Sequence, residues 1–592
     1  LKPFWRKIYM AQVRVCFFFA MAARLPLPLL VLVATHVLSL GGAVLEGGRE
    51  ESGPQWDLSW IAGVEYTPAA APGNSLWWWR WSELAADVER ELADTSRHFG
   101  FNHLRMFLHP LVYDGESGHD EGRVMYQAMS SFLDVVEKHG FKVSFNFFDD
   151  CFNRAGADLQ APCVPVKGRH NGCWMASPQD VQRTSVDRFK GYVENTITRF
   201  ADDRRIAFWE IYNEPRFGDY FSSELRSVAF GWATAALLKA GHGTQFVPVL
   251  SCWDDNNNTQ VVEMHRYDSN FTGWTAQVYQ NPMKGTLITE GGSRWYQGYS
   301  SDSGSPLALM RWFHSLRSIT PSYVAPFKFG MVTNWELMVG SSNTRWHWNT
   351  PDGAPEPVIP WDGYMFPDGS PVSYTEAAAI RNWTLGVDEF LAFDDFLPKT
   401  SNFVGDSYLC LGAGAVHVVA LKVGTDGSSL LAETTVWLNG TSGGGIMVRT
   451  SQVANSTTRS GYFAGFRNST SAAPLLVLER WEGKSREVLA KFAMSSLDCG
   501  LTDAGWNMLR LVVEGSKIEV YANPMLPDAL KPQGIMPRIV WNGATEWMKG
   551  GVALVATGPP SSTGSCTRFD YIGALKLDVM LRQERGSRTF VV

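Results

Sequence analysis

The sequence has no CxxC pair and no cluster of histidines, so no metal site and no cofactor is expected. Charged residues make up only 19% of it and the net charge is −7. Without a basic field to attract phosphates, nucleic acid is not an expected partner. Internal repeats and low-complexity blocks are also missing. The apolar stretch near the N-terminus is split by Arg24, and each half falls short of the ~20 residues that a membrane span requires. Eight cysteines fit an oxidising compartment but are too few for a dense disulfide framework. Cys151, Cys163 and Cys173 crowd one loop, where a bridge is expected; with Cys16 removed the count is odd, leaving a thiol over.

What is abundant is aromatic: 24 Trp, 18 Tyr and 34 Phe. Such rings serve either as packing or as faces for the apolar side of a sugar ring. Met21-Ala-Ala-Arg24, the apolar run after it and Gly41-Gly-Ala43 follow the order of a secretory signal, with translation starting at Met21 or Met10. Asn-x-Ser/Thr sequons at Asn257, Asn270, Asn382, Asn439, Asn455 and Asn468 support the same route. The expected location is extracellular, or alternatively signal-anchored in the secretory pathway, with no stable membrane insertion once the signal is cleaved.

A chain of 592 residues exceeds what one hydrophobic core serves, so two domains are expected. From residue 58 onward, strand-like and helix-like segments alternate, which predicts a parallel sheet covered by helices. Strands are predicted at 60–67, 102–108, 142–148, 206–213, 244–252, 261–267, 287–290 and 327–335. Helices are predicted at 82–98 (Ser82 as N-cap), 125–139, 178–200, 223–240, 307–319 and 373–382. That rhythm is expected to form a (β/α)8 barrel over residues 51–386. After Val387 helical periodicity gives way to Gly, Ser and short alternating runs. A hairpin turning at Gly515, with Gly551–Ala556 and Phe569–Ile572, predicts an all-β sandwich over 387–580. Residues 1–50 are then signal peptide and overrun or pro-region, and 581–592 a polar tail.

Two stretches carry chemistry. Ile206-Ala-Phe-Trp-Glu-Ile-Tyr-Asn-Glu-Pro215 is an apolar run that stops on an amide, a carboxylic acid and a proline. Leu287-Ile-Thr-Glu-Gly-Gly292 delivers a second acid, Glu290, to the end of another run. Barrel active sites gather at the C-terminal ends of the strands. Cleaving an acetal needs a proton for the leaving oxygen and a group to trap the oxocarbenium-like carbon, and two facing carboxyls supply both. Glu214 is the better proton donor and Glu290 the better nucleophile. Each acid could instead be merely structural, although a buried strand-end acid followed by proline is costly without a purpose. Glu210 and Glu336 are read as structural inward or cleft-rim carboxylates. Asp149 and Asp150 could bind substrate or cap their loop. Of Trp77, Trp78, Trp79 and Trp81, at least two are expected to pack rather than form a stacking platform.

Asn213-Glu214-Pro215 on the fourth strand and Glu290 on the seventh resemble clan A glycoside hydrolases, especially family 5 and its cellulase-like relatives. Further positions fit the resemblance over residues 58–385. It implies that Arg105, in His103-Leu-Arg-Met106, keeps the nucleophile ionised and that Asn213 holds the sugar 2-OH. It also implies that His265-Arg-Tyr267 contacts substrate and orients the nucleophile, and that Trp335 floors the −1 sugar site. The third strand departs from the pattern: it ends in Asn146-Phe-Phe-Asp-Asp150, where the family often has histidine. The C-terminal part is similar to concanavalin-like or laminin-G-like sandwiches, binding carbohydrate or simply packing. The expected activity is retaining hydrolysis of a β-linked polysaccharide or oligosaccharide, without cofactor. The alternatives are an exo-acting glycosidase or transglycosylase on glycolipid or glycoprotein glycans, and a non-catalytic sugar-binding protein. The sugar is not readable.

Overall fold

Eight short strands lie parallel in one sheet: β1 (Ala62–Glu65), β2 (His103–Phe107), β3 (Lys142–Asp149), β4 (Ile206–Asn213), β5 (Val249–Leu250), β6 (Val261–Arg266), β7 (Gly285–Gly291) and β8 (Phe329–Thr333). Their order is β5-β4-β3-β2-β1-β8-β7-β6, so the first strand is flanked by the second and the last. β3 shows why the strands read as apolar runs: every residue after Lys142 is buried, as a sheet covered on both faces requires. The computed structural model describes residues 58–71, 76–115, 118–151, 159, 164–171, 176–181, 185–216, 219–242, 249–250, 259, 261–267, 285–292, 294, 306–323, 329–333, 336–395, 409–412, 415–419, 429–439, 443–452, 459–469, 472–494, 504–523, 536–545, 550–557 and 567–577. All belong to one compact unit, Pro54–Val592. The expected signal and tail, Trp335, Cys163, Cys173 and the sequons at Asn257, Asn270 and Asn455 lie outside the described residues.

The longer helices between and after these strands are α1 (Trp81–His98), α2 (Arg123–Lys138), α3 (Lys190–Phe200), α4 (Tyr220–Lys239), α5 (Pro306–Tyr323) and α6 (Tyr374–Leu385). α2 buries Met125, Met129, Phe132, Leu133 and Val136, the stripe that a 3.6-residue period places toward a sheet. Gly140, at φ +78°, follows its end and lets the chain turn out of the helix. Among the described residues no helix is long and apolar enough to cross a membrane.

Several elements differ from their sequence prediction. Ser82 is not an N-cap: Leu76–Arg80 already forms a 3-10 turn, and α1 continues from it at Trp81 without a side-chain cap. That turn buries Trp77 and Trp78, stacked 4.0 Å apart between centroids, so neither offers a face to a ligand. The single helix expected over 178–200 is broken at Ser185, which is extended and accepts from Asp187 N to start a new turn. Asn382 sits inside α6, and the hydroxyl of its sequon partner Thr384 donates to Phe99 O at 2.8 Å. That sequon is therefore part of a packed helix rather than of a surface loop.

Beyond α6 the described chain is strands. One sheet has the order β10 (Leu409–Leu411), β21 (Thr567–Lys576), β12 (Ser429–Asn439), β17 (Ala504–Glu514), β18 (Lys517–Ala522), β19 (Ile539–Trp541), with β9 (Phe390–Asp395) on β21. The second has the order β11 (Val416–Val419), β20 (Gly551–Thr557), β13 (Gly443–Gln452), β14 (Arg459–Ser469), β15 (Ala472–Glu482), β16 (Ser485–Ala493). Both contribute to one core that includes Leu430, Val436, Leu511 and Ile572 from the first and Ile446, Phe466, Leu478 and Leu554 from the second. The β17–β18 hairpin turns through Gly515 at φ +54°, pairing Glu514 with Lys517. A two-residue connection of this kind needs a residue tolerant of positive φ.

This β region is tied to α6 by a buried cluster. Glu433 of β12 accepts from Ser373 Oγ (2.7 Å), Thr375 N (3.0 Å) and Thr375 Oγ1 (2.8 Å), and Arg510 of β17 donates to it at 2.6 Å. A carboxylate at a helix N-terminus satisfies otherwise orphaned N–H groups and complements the helix dipole.

Candidate active site

β4 ends at Asn213, and the next residue, Glu214, sits at φ +39° ahead of Pro215. A left-handed glutamate costs on the order of 1–2 kcal/mol and persists only where the surroundings impose it. Glu290 lies in β7, buried, with its side chain only 3% exposed against 23% for Glu214. Between the two carboxyls stands His265 of β6. Its Nδ1 is 2.8 Å from Glu214 Oε1 and 3.2 Å from Glu290 Oε2. A break in the β6–β7 register between Met264 and His265 brings His265 opposite Glu290, the re-aiming that a bulge provides. The nearest ligand atoms of Glu214, His265 and Glu290 all lie within 4.8 Å of one another.

Arg105 of β2 is the hub beneath them, fully buried. It donates to Glu290 Oε1 at 2.8 Å, Glu65 Oε2 at 3.2 Å and Asn213 Oδ1 at 2.8 Å. It also makes a two-pronged contact with Glu210, one arm being Nε to Oε2 at 2.7 Å. Tyr267 donates to Glu290 Oε2 at 2.5 Å, so both nucleophile-candidate oxygens are fixed. Asn213 in turn donates to Asp149 Oδ1 at 2.6 Å. Asp149 is fully buried behind Asn213, which makes it a support for that amide.

The electrostatics are those of a crowded acid cluster with one guanidinium. Burial pushes the Glu290 carboxyl above its ordinary value, against the pull of His265 and Arg105. Burial also acts on Glu214, but the His265 hydrogen bond and charge outweigh it and leave that carboxyl lowered. Burial disfavours the imidazolium of His265, yet the two carboxylates prevail and its pKa is raised. These directions run opposite to the resting state of a glycosidase, where the acid is protonated and the nucleophile is not. Glu214, His265 and Glu290 have the spacing to hold a cation. His265 already bonds Glu214, though, while Tyr267 donates to the Glu290 oxygen that faces His265 and Arg105 donates to the other.

Of the residues singled out in the sequence, Glu214, Glu290, Asn213, Arg105, His265, Tyr267 and Asp149 fall into this one network; Trp335 lies outside the described residues. Glu336 is buried and accepts from Thr67 N at 2.8 Å. Glu65 and Glu263 belong to the cluster and escaped the sequence reading. Burial holds both carboxyls well above their usual range. The available signal was a lone acid at the end of Ala62-Gly-Val-Glu65 and another two residues before His265. The bridge expected in the cysteine loop does not engage Cys151, whose thiol is free and donates to Glu214 Oε2 at 3.3 Å. A cavity of about 780 Å³ opens beside the loops after β1 and β8, lined by Ala69, Arg90, Glu91, Arg345, Trp346 and Glu356. None of the catalytic candidates lines it.

No protein-family model and no curated protein matches the chain. Among solved structures it is similar to a GH5_18 protein from Streptomyces cattleya, solved in complex with GlcNAc. The identity is 15%, over 55% of this chain and 80% of that one, with a TM-score of 0.34. It is also similar to the exo-β-1,4-mannosidase Op5Man5 from Opitutaceae bacterium strain TAV5 (13%, 54% and 60%, TM-score 0.34) and a GH5 family lichenase from Caldicellulosiruptor sp. F32 (12%, 50% and 84%, TM-score 0.33). The chain spans from 39% to 80% of the length of the first structures it matches. At these scores the likeness is partial, and the reading of the site rests on its own geometry.

Proposed function

We propose that the protein is a secreted, retaining β-glycoside hydrolase whose eight-stranded sheet closes as a (β/α)8 barrel, followed by a β-sandwich over 387–580. The observation that carries this reading is the approach of Glu214 and Glu290 to within 4.8 Å, one following β4 and the other ending β7. Retaining enzymes place their carboxyls about 5–5.5 Å apart, whereas inverting ones leave about 6.5–9.5 Å for a water. Glu290, gripped by Arg105 and Tyr267, attacks the anomeric carbon while the glycosidic C–O bond breaks. Glu214, the more exposed acid, gives its proton to the departing oxygen. Glu214 then takes a proton from a water whose oxygen attacks the anomeric carbon of the glycosyl-enzyme as its bond to Glu290 breaks. In this reading Asn213 contacts the sugar 2-OH; what supports it is an amide held by Asp149 and Arg105 beside the two acids.

The test is Glu290→Ala assayed on aryl β-glycosides and β-glycans. Hydrolysis is expected to fall by on the order of 10⁴-fold or more, and azide should restore turnover with a product of opposite anomeric configuration. Wild-type-like activity in this variant would overturn the assignment, and so would a wild-type protein that only binds glycans.

A further inference from the structure

The end of β3 carries Asp149-Asp150-Cys151, where the glycosidase resemblance led to expectation of a histidine. Each residue of this triplet grips a different part of the Asn213–Arg216 turn. Asp149 accepts from the Asn213 amide at 2.6 Å, and Cys151 donates its thiol to Glu214 Oε2 at 3.3 Å. Asp150, only 6% exposed, uses one oxygen for three donors: Arg216 N at 2.9 Å, Tyr212 OH at 3.1 Å and Ser222 Oγ at 2.6 Å. Those donors lie just before Glu214, just after it and in the first turn of α4. Ser222 is itself held by Gln179 at 2.8 Å. A left-handed glutamate between two fixed points cannot relax to an ordinary backbone without breaking one of them.

We propose that Asp150, assisted by Cys151, is a positioning residue: it locks the turn that aims Glu214, and so sets the efficiency of proton donation to the leaving group. This rests on the hydrolase reading above. Hydrogen bonds from a backbone N–H to a buried carboxylate are strong enough to hold such a turn. The thiol supplies a second restraint directly on the carboxyl, and by bonding its charged form it also favours ionisation. Neither residue needs to touch the sugar.

The experiment compares Asp150→Ala, Asp150→Asn, Cys151→Ala and Cys151→Ser with wild type on two β-glycosides, one with an activated dinitrophenyl leaving group and one with an alkyl leaving group. Only the second depends heavily on the acid. Asp150→Ala is expected to lose ~10²-fold in kcat/KM on the alkyl glycoside, as for a catalytic group displaced by about 1 Å, while the dinitrophenyl substrate is largely spared. Asp150→Asn, which keeps an acceptor for Arg216 N, should recover most of the loss. Cys151→Ala should move the alkaline limb of the kcat/KM profile to higher pH, and Cys151→Ser should leave it in place. Equal losses on both substrates, or no loss, overturn the proposal for Asp150. If Asp150→Ala does not fold, the Cys151 pair decides, and an unmoved limb then overturns it. Failure of the hydrolase reading looks different: wild type itself would then cleave neither substrate. With active wild type and a leaving-group-dependent Glu214→Ala, a silent Asp150 series removes only the positioning role.

Discussion

Two buried clusters in this molecule are each built on an arginine, and they are assembled on opposite terms. Arg510 meets one carboxylate, Glu433, whose remaining lone pairs are taken by Ser373, Thr375 and the start of α6. Arg105 meets three carboxylates, Glu65, Glu210 and Glu290, with Glu263 within hydrogen-bonding reach of Glu210. The first cluster is balanced and saturated. The second holds more acid than one guanidinium can neutralise, and Glu65 Oε1 is buried without a hydrogen-bond partner among the described residues. Saturation is what a structural clamp wants. A surplus of acid is tolerated only if some of it stays protonated, and burial raises Glu65 and Glu263 accordingly.

The contrast can be broken by experiment, beginning with the largest effect. Arg105→Met leaves three buried carboxylates without a cation and should cost about 3–5 kcal/mol of stability as well as activity, read by denaturant titration alongside an aryl-glycoside assay. Glu433→Ala strands Arg510 in the same way and should cost about 3 kcal/mol, yet the folded fraction should keep the wild-type kcat. A loss of kcat there would mean that the two clusters are coupled.

Smaller effects come from pH. The pKa of His265 is raised from 6.5 in the folded protein. Its contribution to stability is therefore complete below about 6.5 and fades as pH climbs through the folded value. Melting temperatures measured from pH 5 to 9 should show that decline in wild type and a flatter profile in His265→Asn. Glu65 is also raised, so the folded protein prefers it protonated, and its burial becomes a cost as pH rises above 4.5 through the folded value. Glu65→Gln should relieve a small part of that cost at neutral pH, seen as a slightly higher melting temperature. A lower one would show that Arg105 needs all three partners.

Glu214 and Glu290 were legible as candidates because each terminates an apolar run, and strand ends are where a sheet delivers side chains. Arg105, His265 and Tyr267 were reached through resemblance, and all five share one network. Glu65 and Glu263 stayed hidden because only the pairing of strands shows which acids face the same interior. The role of Cys151 was hidden for a related reason: spacing could not say which thiol of the loop stays free, and its neighbour comes from the turn after β4, distant in sequence. Helix boundaries failed where local chemistry competed with periodicity. At Ser185 an extended side-chain cap interrupts the predicted helix, and at Trp81 a preceding 3-10 turn makes a cap unnecessary. The long hairpin at Gly515 was legible because alternation and a turn residue coincide there.

The placement of Glu433 has a bearing on inheritance and engineering. An accessory module joined by a loose tether can be shuffled among enzymes or trimmed away at will. Here the first turn of α6 draws its terminal acceptors from β12, and Arg510 reaches back to Val372 O at 3.0 Å. A gene fragment ending at α6 would expose that helix start and bare the surface around it. The two halves should therefore be exchanged, expressed and selected only as one piece.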